Sequence, residues 1–189
     1  VSDRSDSGAA RRAQDRVDAL AEGWLAQCPE LVGDEFGLLK RNARLHSMLE
    51  QVLLERLRPF GVTKAEYDIL GVLRSVGAPY RLRPSELAER IMLTSGGISN
   101  ALRRLETRKL VRRIPDPSDA RASLACLTDA GATLALEAVR EVVGAQSALL
   151  RRAESGGTAA VRDASNALHS VLLALGDVAP RTWHGTRAG

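Results

Sequence analysis

The chain has 189 residues, of which 44% are apolar, 26% charged and only 3% aromatic, with a formal net charge of +4. This length suits one ordinary domain or a small domain with an oligomerisation element, and the apolar content excludes a globally disordered chain. No apolar run approaches the roughly 20 residues of a membrane span, and the opening VSDRSDSGAARR lacks the apolar core of a secretory signal, so a cytoplasmic protein with no membrane partner is expected.

In chain order, residues 1–12 are polar and small and are expected to form a mobile tail. Val17, Leu20, Ala21, Trp24, Leu25 and Cys28 recur at helical spacing, which predicts a short amphipathic helix before Pro29. A longer helix is expected over about 34–58, with Leu38, Leu45, Leu49 and Val52 on a broad apolar face, closing before Pro59 and Gly61. Thr63 with Glu66 three residues on reads as a capping box for a helix running to about Ser75. The alternation Tyr80-Arg81-Leu82-Arg83 suggests one short strand, and Pro84 suits the first turn of a helix, PSELAERIML.

Thr94 is the candidate N-cap of a helix over about 95–108. The following LVRRIPDPSDARASLACLT reads as strand, turn, strand, with strands at Leu110–Ile114 and Ala122–Leu127 and the tip at 115–119. Thr128 restarts a helix to about Arg152, Gly156-Gly157 breaks it, and a last amphipathic helix ends near Gly176 ahead of an aperiodic tail.

The expected fold is mainly α with a small β-wing. A winged helix-turn-helix DNA-binding lobe is joined by N- and C-terminal helices that form a dimerisation region, because their apolar faces have no other domain to cover them. The corresponding organisation is a mobile tail at 1–12, an added N-terminal helix at 13–28 and a dimerisation helix at 29–58. The winged helix-turn-helix follows at 59–127, then C-terminal dimerisation helices at 128–176 and a mobile tail at 177–189.

Charge is unevenly placed. Residues 81–121 hold ten Arg or Lys against five Asp or Glu, net +5, so the remainder of the chain is close to neutral. Such a block inside an ordered segment points to a polyanion, although a solvated basic face gives the same pattern. On a helical wheel Ile98, Leu102 and Leu105 form the stripe that must face a core. The opposite face carries Gly96, Asn100, Arg103 and Thr107, flanked by Ser99 and Arg104. That face suits a major groove, where Arg bonds guanine and Asn bonds adenine. Ser95, Ser99 and the first-turn N–H groups suit phosphate oxygens, and Gly96 lets the backbone approach closely. Arg121 stands where a wing reaches a minor groove, or else is a turn arginine paired with Asp116 or Asp119.

These segments resemble the MarR family of bacterial transcription regulators over about residues 63–131. The carriers are RPSELAER, the helix ending NALRRLETRKLVRR, and the wing PDPSDAR followed by LTDAG. The resemblance implies a triangular homodimer on a pseudo-palindromic, double-stranded operator. It also implies a small-molecule effector bound where the dimerisation helices meet the DNA-binding lobe. The added helix, DRVDALAEGWLAQCPEL, with AEYDILGVLRSVGAPYRLRPSELA, resembles the urate-responsive and PecS-like branch. There the ligand site takes a Trp, an Asp and two arginines. Trp24, Asp68 and Arg113 match, whereas Ala101 stands where the other arginine belongs. The site is therefore short of one cation for urate, and another anionic or aromatic metabolite fits as well.

From the residues alone, Asp68 lies at the edge of the stripe Ala65, Ile69, Val72 and Val76, as a charge sensor or as an exposed or arginine-paired rim carboxylate. Trp24 serves as a hydrophobic anchor, a ligand stacker or both. Cys28 and Cys126 with His46, His169 and His184 match no metal spacing, and no nucleophile, base or phosphate loop is recognisable. The chain is thus expected to be no enzyme and to need neither metal nor cofactor. The leading expectation is a ligand-released repressor. The alternatives are a winged-helix module for acidic protein partners and a thiol switch at Cys28, with Cys126 read as packing.

Overall fold

The computed structural model describes residues 13–91, 94–152 and 159–180. Its helices are α1 (Arg16–Leu25), α2 (Asp34–Leu57), α3 (Lys64–Ser75), α4 (Pro84–Ile91), α5 (Ser95–Thr107), α6 (Asp129–Arg152) and α7 (Ala159–Ala174). The strands are β1 (Arg81–Leu82), β2 (Val111–Asp116) and β3 (Asp119–Leu127). They form one antiparallel sheet in the order β1-β3-β2. The mainly helical fold with a small sheet is the one expected. The expected tail at 1–12, most of that at 177–189 and the break at Gly156-Gly157 lie outside the described residues.

The described residues fall in two compact units, one up to Met48 and one from Leu49 on, with the boundary inside the sequence of α2. In the first, Asp15 caps α1 through a capping box with Asp18. Arg41 of α2 binds both carboxylates, with Nε 2.8 Å from Asp15 Oδ2. Val17 is the buried residue of α1. The Leu20, Trp24 and Leu25 side chains remain exposed, as do Leu38, Leu39 and Leu45 of α2.

The second unit holds the core. Leu53 and Leu57 of α2, Ile69, Leu70 and Leu73 of α3 and Leu87 of α4 pack with Ile98, Leu102 and Leu105 of α5 and with Ala135, Ala138 and Val142 of α6. The starts of α3, α4 and α5 each have a chemical reason. Thr63 and Glu66 close the expected capping box on α3. Pro84 stands at the first position of α4, and the Arg83 N–H donates to Glu86 Oε2 at 2.7 Å. Thr94 caps α5 by accepting from the Gly97 N–H.

The end of α5 is equally defined. Lys109 takes a left-handed φ of +57°, the Leu110 N–H donates to Leu105 O and the Lys109 N–H to Glu106 O. This is the Schellman closure, which turns the chain straight from helix into β2. Thr128 then seats α6 against that same corner. Its hydroxyl donates to Lys109 O at 2.8 Å and accepts from the Gly131 N–H at 3.0 Å.

The wing differs from expectation in one respect. The strands run closer to the tip than 115–119 allowed, with Asp116 opposite Asp119 and Pro117-Ser118 alone making the turn. Asp116 causes this, because its Oδ1 accepts both the N–H and the hydroxyl of Ser118 and pulls the turn tight.

Candidate nucleic-acid interface

The two faces of α5 separate as the wheel requires. Ile98, Ala101, Leu102 and Leu105 are fully buried, whereas Gly96, Ser99, Asn100, Arg103, Arg104 and Thr107 are exposed. Arg103 donates to Asn100 Oδ1 at 3.3 Å, so the two candidate base-reading side chains lie together on one turn. Ser95 is the first residue of the helix, and its side chain lies outside the described residues. A Cβ built on Gly96 would meet nothing within 4 Å, whereas one on Gly97 would stand 3.3 Å from the Thr94 hydroxyl. The second glycine thus has a partner inside the fold, and the first faces open space.

Arg104 is placed differently from its neighbours. Its Nε lies 2.7 Å from Oε1 of Glu66, whose side chain is only 4% exposed. Burial would raise the Glu66 carboxyl, but the Thr63 N–H and the Arg104 guanidinium outweigh it and leave the group below its ordinary range. Sequence reading identified Glu66 only as a capping residue. Nothing in the local pattern announces a partner 38 positions away.

Arg121 lies exposed on β3, and its N–H donates to Asp119 Oδ1 at 3.0 Å. The reading in which its side chain pairs with Asp116 or Asp119 is not the arrangement found among the described residues. Asp116 is taken instead by Arg83, with Nε to Oδ2 at 2.6 Å. The Ser118 N–H first, and Arg83 next, hold the Asp116 carboxyl down at about 2. Sequence reading missed both residues as wing anchors.

The three residues proposed for the ligand are each accounted for separately. Asp68 pairs with Lys64 one turn back, 2.8 Å between Oδ2 and Nζ, rather than with an arginine. Both line a cleft of about 370 Å³ with Tyr67, Gly71, Val72, Arg90 and Ile91. Arg113 is engaged away from that cleft, with Nε 2.6 Å from Glu106 Oε1 and a terminal nitrogen 3.3 Å from Ser123 Oγ. Trp24 is exposed on α1, within the first unit. Ala101, at the position of the missing arginine, has 0% exposure, so the core occupies the space an arginine stem would need. Cys126 is buried and Cys28 half-buried, both as free thiols, and the Cys126 thiol donates to Pro79 O. Among the described residues no group of His, Cys, Asp or Glu could hold a metal ion, and no helix is long and apolar enough to cross a membrane.

A helix-turn-helix with a buried apolar face, a polar and basic outer face and an arginine-bearing wing is the arrangement that DNA-binding regulators use. Residues 60–122 match the model of the MarR family. The chain is 28% identical over 127 residues to the HTH-type transcriptional regulator PecS of Dickeya dadantii, spanning 67% of this chain and 76% of that protein. AbsC, a MarR family transcriptional regulator from Streptomyces coelicolor, superposes with a TM-score of 0.60 and 29% identity, over 78% of this chain and 98% of its own. A MarR variant from E. coli, complexed with operator DNA, does so with a TM-score of 0.57 and 28% identity, over 74% and 99%. The chain thus resembles the DNA-binding transcriptional regulators of the MarR family, most directly over residues 60–122.

Proposed function

We propose that the chain acts as a homodimeric repressor that reads a pseudo-palindromic operator through α5 and the wing and is released by a small effector. The observation that carries the DNA part is the outer face of α5, where Asn100 and Arg103 lie together beside exposed Ser99 and open Gly96. Ser95 and Arg104 flank that face, and Arg121 serves the adjoining minor groove. In a dimer the two α5 helices would enter major grooves about 34–36 Å apart. Homodimerisation is supported by apolar side chains left exposed on the terminal helices, Leu38 and Leu45 of α2 and Val171 and Leu172 of α7 among them.

The effector reading centres on Asp68. Its cleft offers an aromatic ring, apolar walls and the cations of Lys64 and Arg90, which suits an anionic or aromatic molecule. Trp24 and Arg113 belong to this reading through the resemblance, and Arg113 would have to leave Glu106 to join a ligand. Release follows if the effector favours a dimer whose α5 spacing no longer fits the groove.

A fluorescence-anisotropy titration on the DNA upstream of the chain's own gene tests the reading. Affinity should fall steeply with salt, and Arg103→Ala should weaken binding by about 1–3 kcal/mol and relax base preference. Arg103→Ala binding that keeps both affinity and base preference refutes the base-reading role. A thermal-shift screen of anionic metabolites and aromatic natural products, with hits retested for release from DNA, tests the effector.

A further inference from the structure

Arg104 on α5 and Arg108, the residue that caps the end of that helix, reach the same short stretch of chain. Arg104 binds Glu66 near the start of α3, and Glu66 Oε2 accepts the Thr63 N–H at 2.8 Å. Arg108 donates to the two carbonyls just before it, 2.7 Å to Gly61 O and 3.1 Å to Phe60 O. Phe60 closes the short 3-10 turn Arg58–Phe60 that follows α2, and Gly61 leaves it with a left-handed φ of +61°. Residues 60–66 thus receive three side-chain bonds from α5 and its C-cap residue, anchored about 6 Å apart along the helix axis.

We propose that Arg104 is a positioning residue: with Arg108 it straps α5 to the junction of α2 and α3, and so sets the angle at which Asn100 and Arg103 meet DNA. Two anchor points on one side of a helix fix its roll about its own axis as well as its position. A single apolar stripe controls roll less tightly, because Ile98, Leu102 and Leu105 can slide against their neighbours. Arg104 then contributes to DNA affinity through Glu66 and not through its charge on a phosphate. This rests on the reading of α5 as the base-reading helix, and it changes the role assigned to Arg104 within it.

Two measurements separate a strap from a phosphate contact. Glu66→Gln keeps the capping box, since an amide oxygen still accepts the Thr63 N–H, but removes the charge that holds Arg104. The strap predicts that Glu66→Gln and Arg104→Ala each weaken operator binding by a similar factor, on the order of tenfold. The double variant is then no weaker than either single one, because both remove one interaction. The slope of log affinity against log salt stays at the wild-type value. A phosphate contact predicts instead that Arg104→Ala makes that slope shallower by about 1 and that Glu66→Gln binds as well as wild type or better. That result overturns the proposal. Melting temperatures above the assay temperature for all variants keep the comparison one of binding. If Arg103→Ala in the same assay leaves base preference intact, the underlying reading of α5 falls, and the strap with it.

Discussion

Arg83, the residue just before α4, bonds Asp116 near the tip of the wing, with Nε 2.6 Å from an oxygen whose side chain is only 5% exposed. A terminal nitrogen of the same arginine reaches Ser118 Oγ at 2.8 Å. The turn of the wing is therefore fixed from outside the wing, by the residue that leads into α4.

The Asp116 carboxyl is held down at about 2, first by the Ser118 N–H and then by Arg83, against an ordinary value of 3.8. A carboxyl depressed in the folded state contributes stability that is complete above the unfolded value and is lost as pH falls through the folded one. The window here runs from about pH 4 down to about pH 2. Thermal melts of Asp116→Asn should show a lower Tm than wild type at pH 7 and a flatter decline across that acid window. An unchanged acid slope in Asp116→Asn would show that this carboxyl stays neutral-indifferent to folding.

Gly131 stands in the first turn of α6, where an added Cβ would come 1.9 Å from the Leu110 carbonyl oxygen. The obstacle is backbone, and Leu110 O also accepts the Thr128 N–H, so neither side can yield cheaply. Gly131→Ala should destabilise the fold by about 2–4 kcal/mol despite the better helix propensity of alanine. Urea titration measures this directly, and a stability within 0.5 kcal/mol, roughly the scatter of neutral surface changes, would contradict the close approach.

These contacts mark what could and could not be read from the chain. Local chemistry was legible: the caps at Thr63 and Thr94, the proline at the start of α4 and the buried stripe of α5 all follow from residues within a turn of each other. The wing strands were legible too, apart from the tightness of the turn that Asp116 and Ser118 impose. Long-range pairing was not. Arg104 looks like any cation on a DNA-facing helix until Glu66 is brought against it, and Asp116 looks like a turn residue until Arg83 arrives. A helical wheel gives the direction of a side chain but not what the rest of the fold places there. The same limit applies to Asp68 and Arg113, which one pattern grouped together and the fold gives to Lys64 and Glu106 respectively.

The added helix α1 has one buried side chain among its residues and an ion-pair cluster tying it to α2. Val17 is its buried residue, while Arg41 binds Asp15 and Asp18 in positions that are roughly half exposed. Exposed ion pairs weaken as salt screens them. Hydrogen exchange of the α1 amides should therefore accelerate between 0.1 and 1 M salt, about a threefold drop in screening length, while the α3 and α5 amides hold steady. Arg41→Ala should show fast α1 exchange at both salt levels. Equal protection of α1 in the variant and in wild type would mean that apolar contacts hold this helix.

The paired glycines at the start of α5 give a test in which stability and binding move in opposite directions. Gly97 has a reason inside the protein, because its Cβ would press on the hydroxyl of Thr94, the residue that caps the helix. Gly96 has none: its Cβ would meet open space on the exposed side of the first turn. If folding alone governed that position, alanine would be the better residue by about 0.5–1 kcal/mol, through the smaller conformational entropy it loses. Gly96→Ala should accordingly raise Tm. Operator affinity should fall, since in the proposed complex the new methyl group would hold the helix start away from phosphate and base edges. Gly97→Ala should instead gain little or lose stability, because the methyl group strains the cap. Thermal melts and anisotropy titrations on the two variants and wild type measure both quantities. A Gly96→Ala protein that is more stable and binds its operator with wild-type affinity would remove Gly96 from the interface, leaving Asn100, Arg103 and Arg121 to carry the reading of DNA.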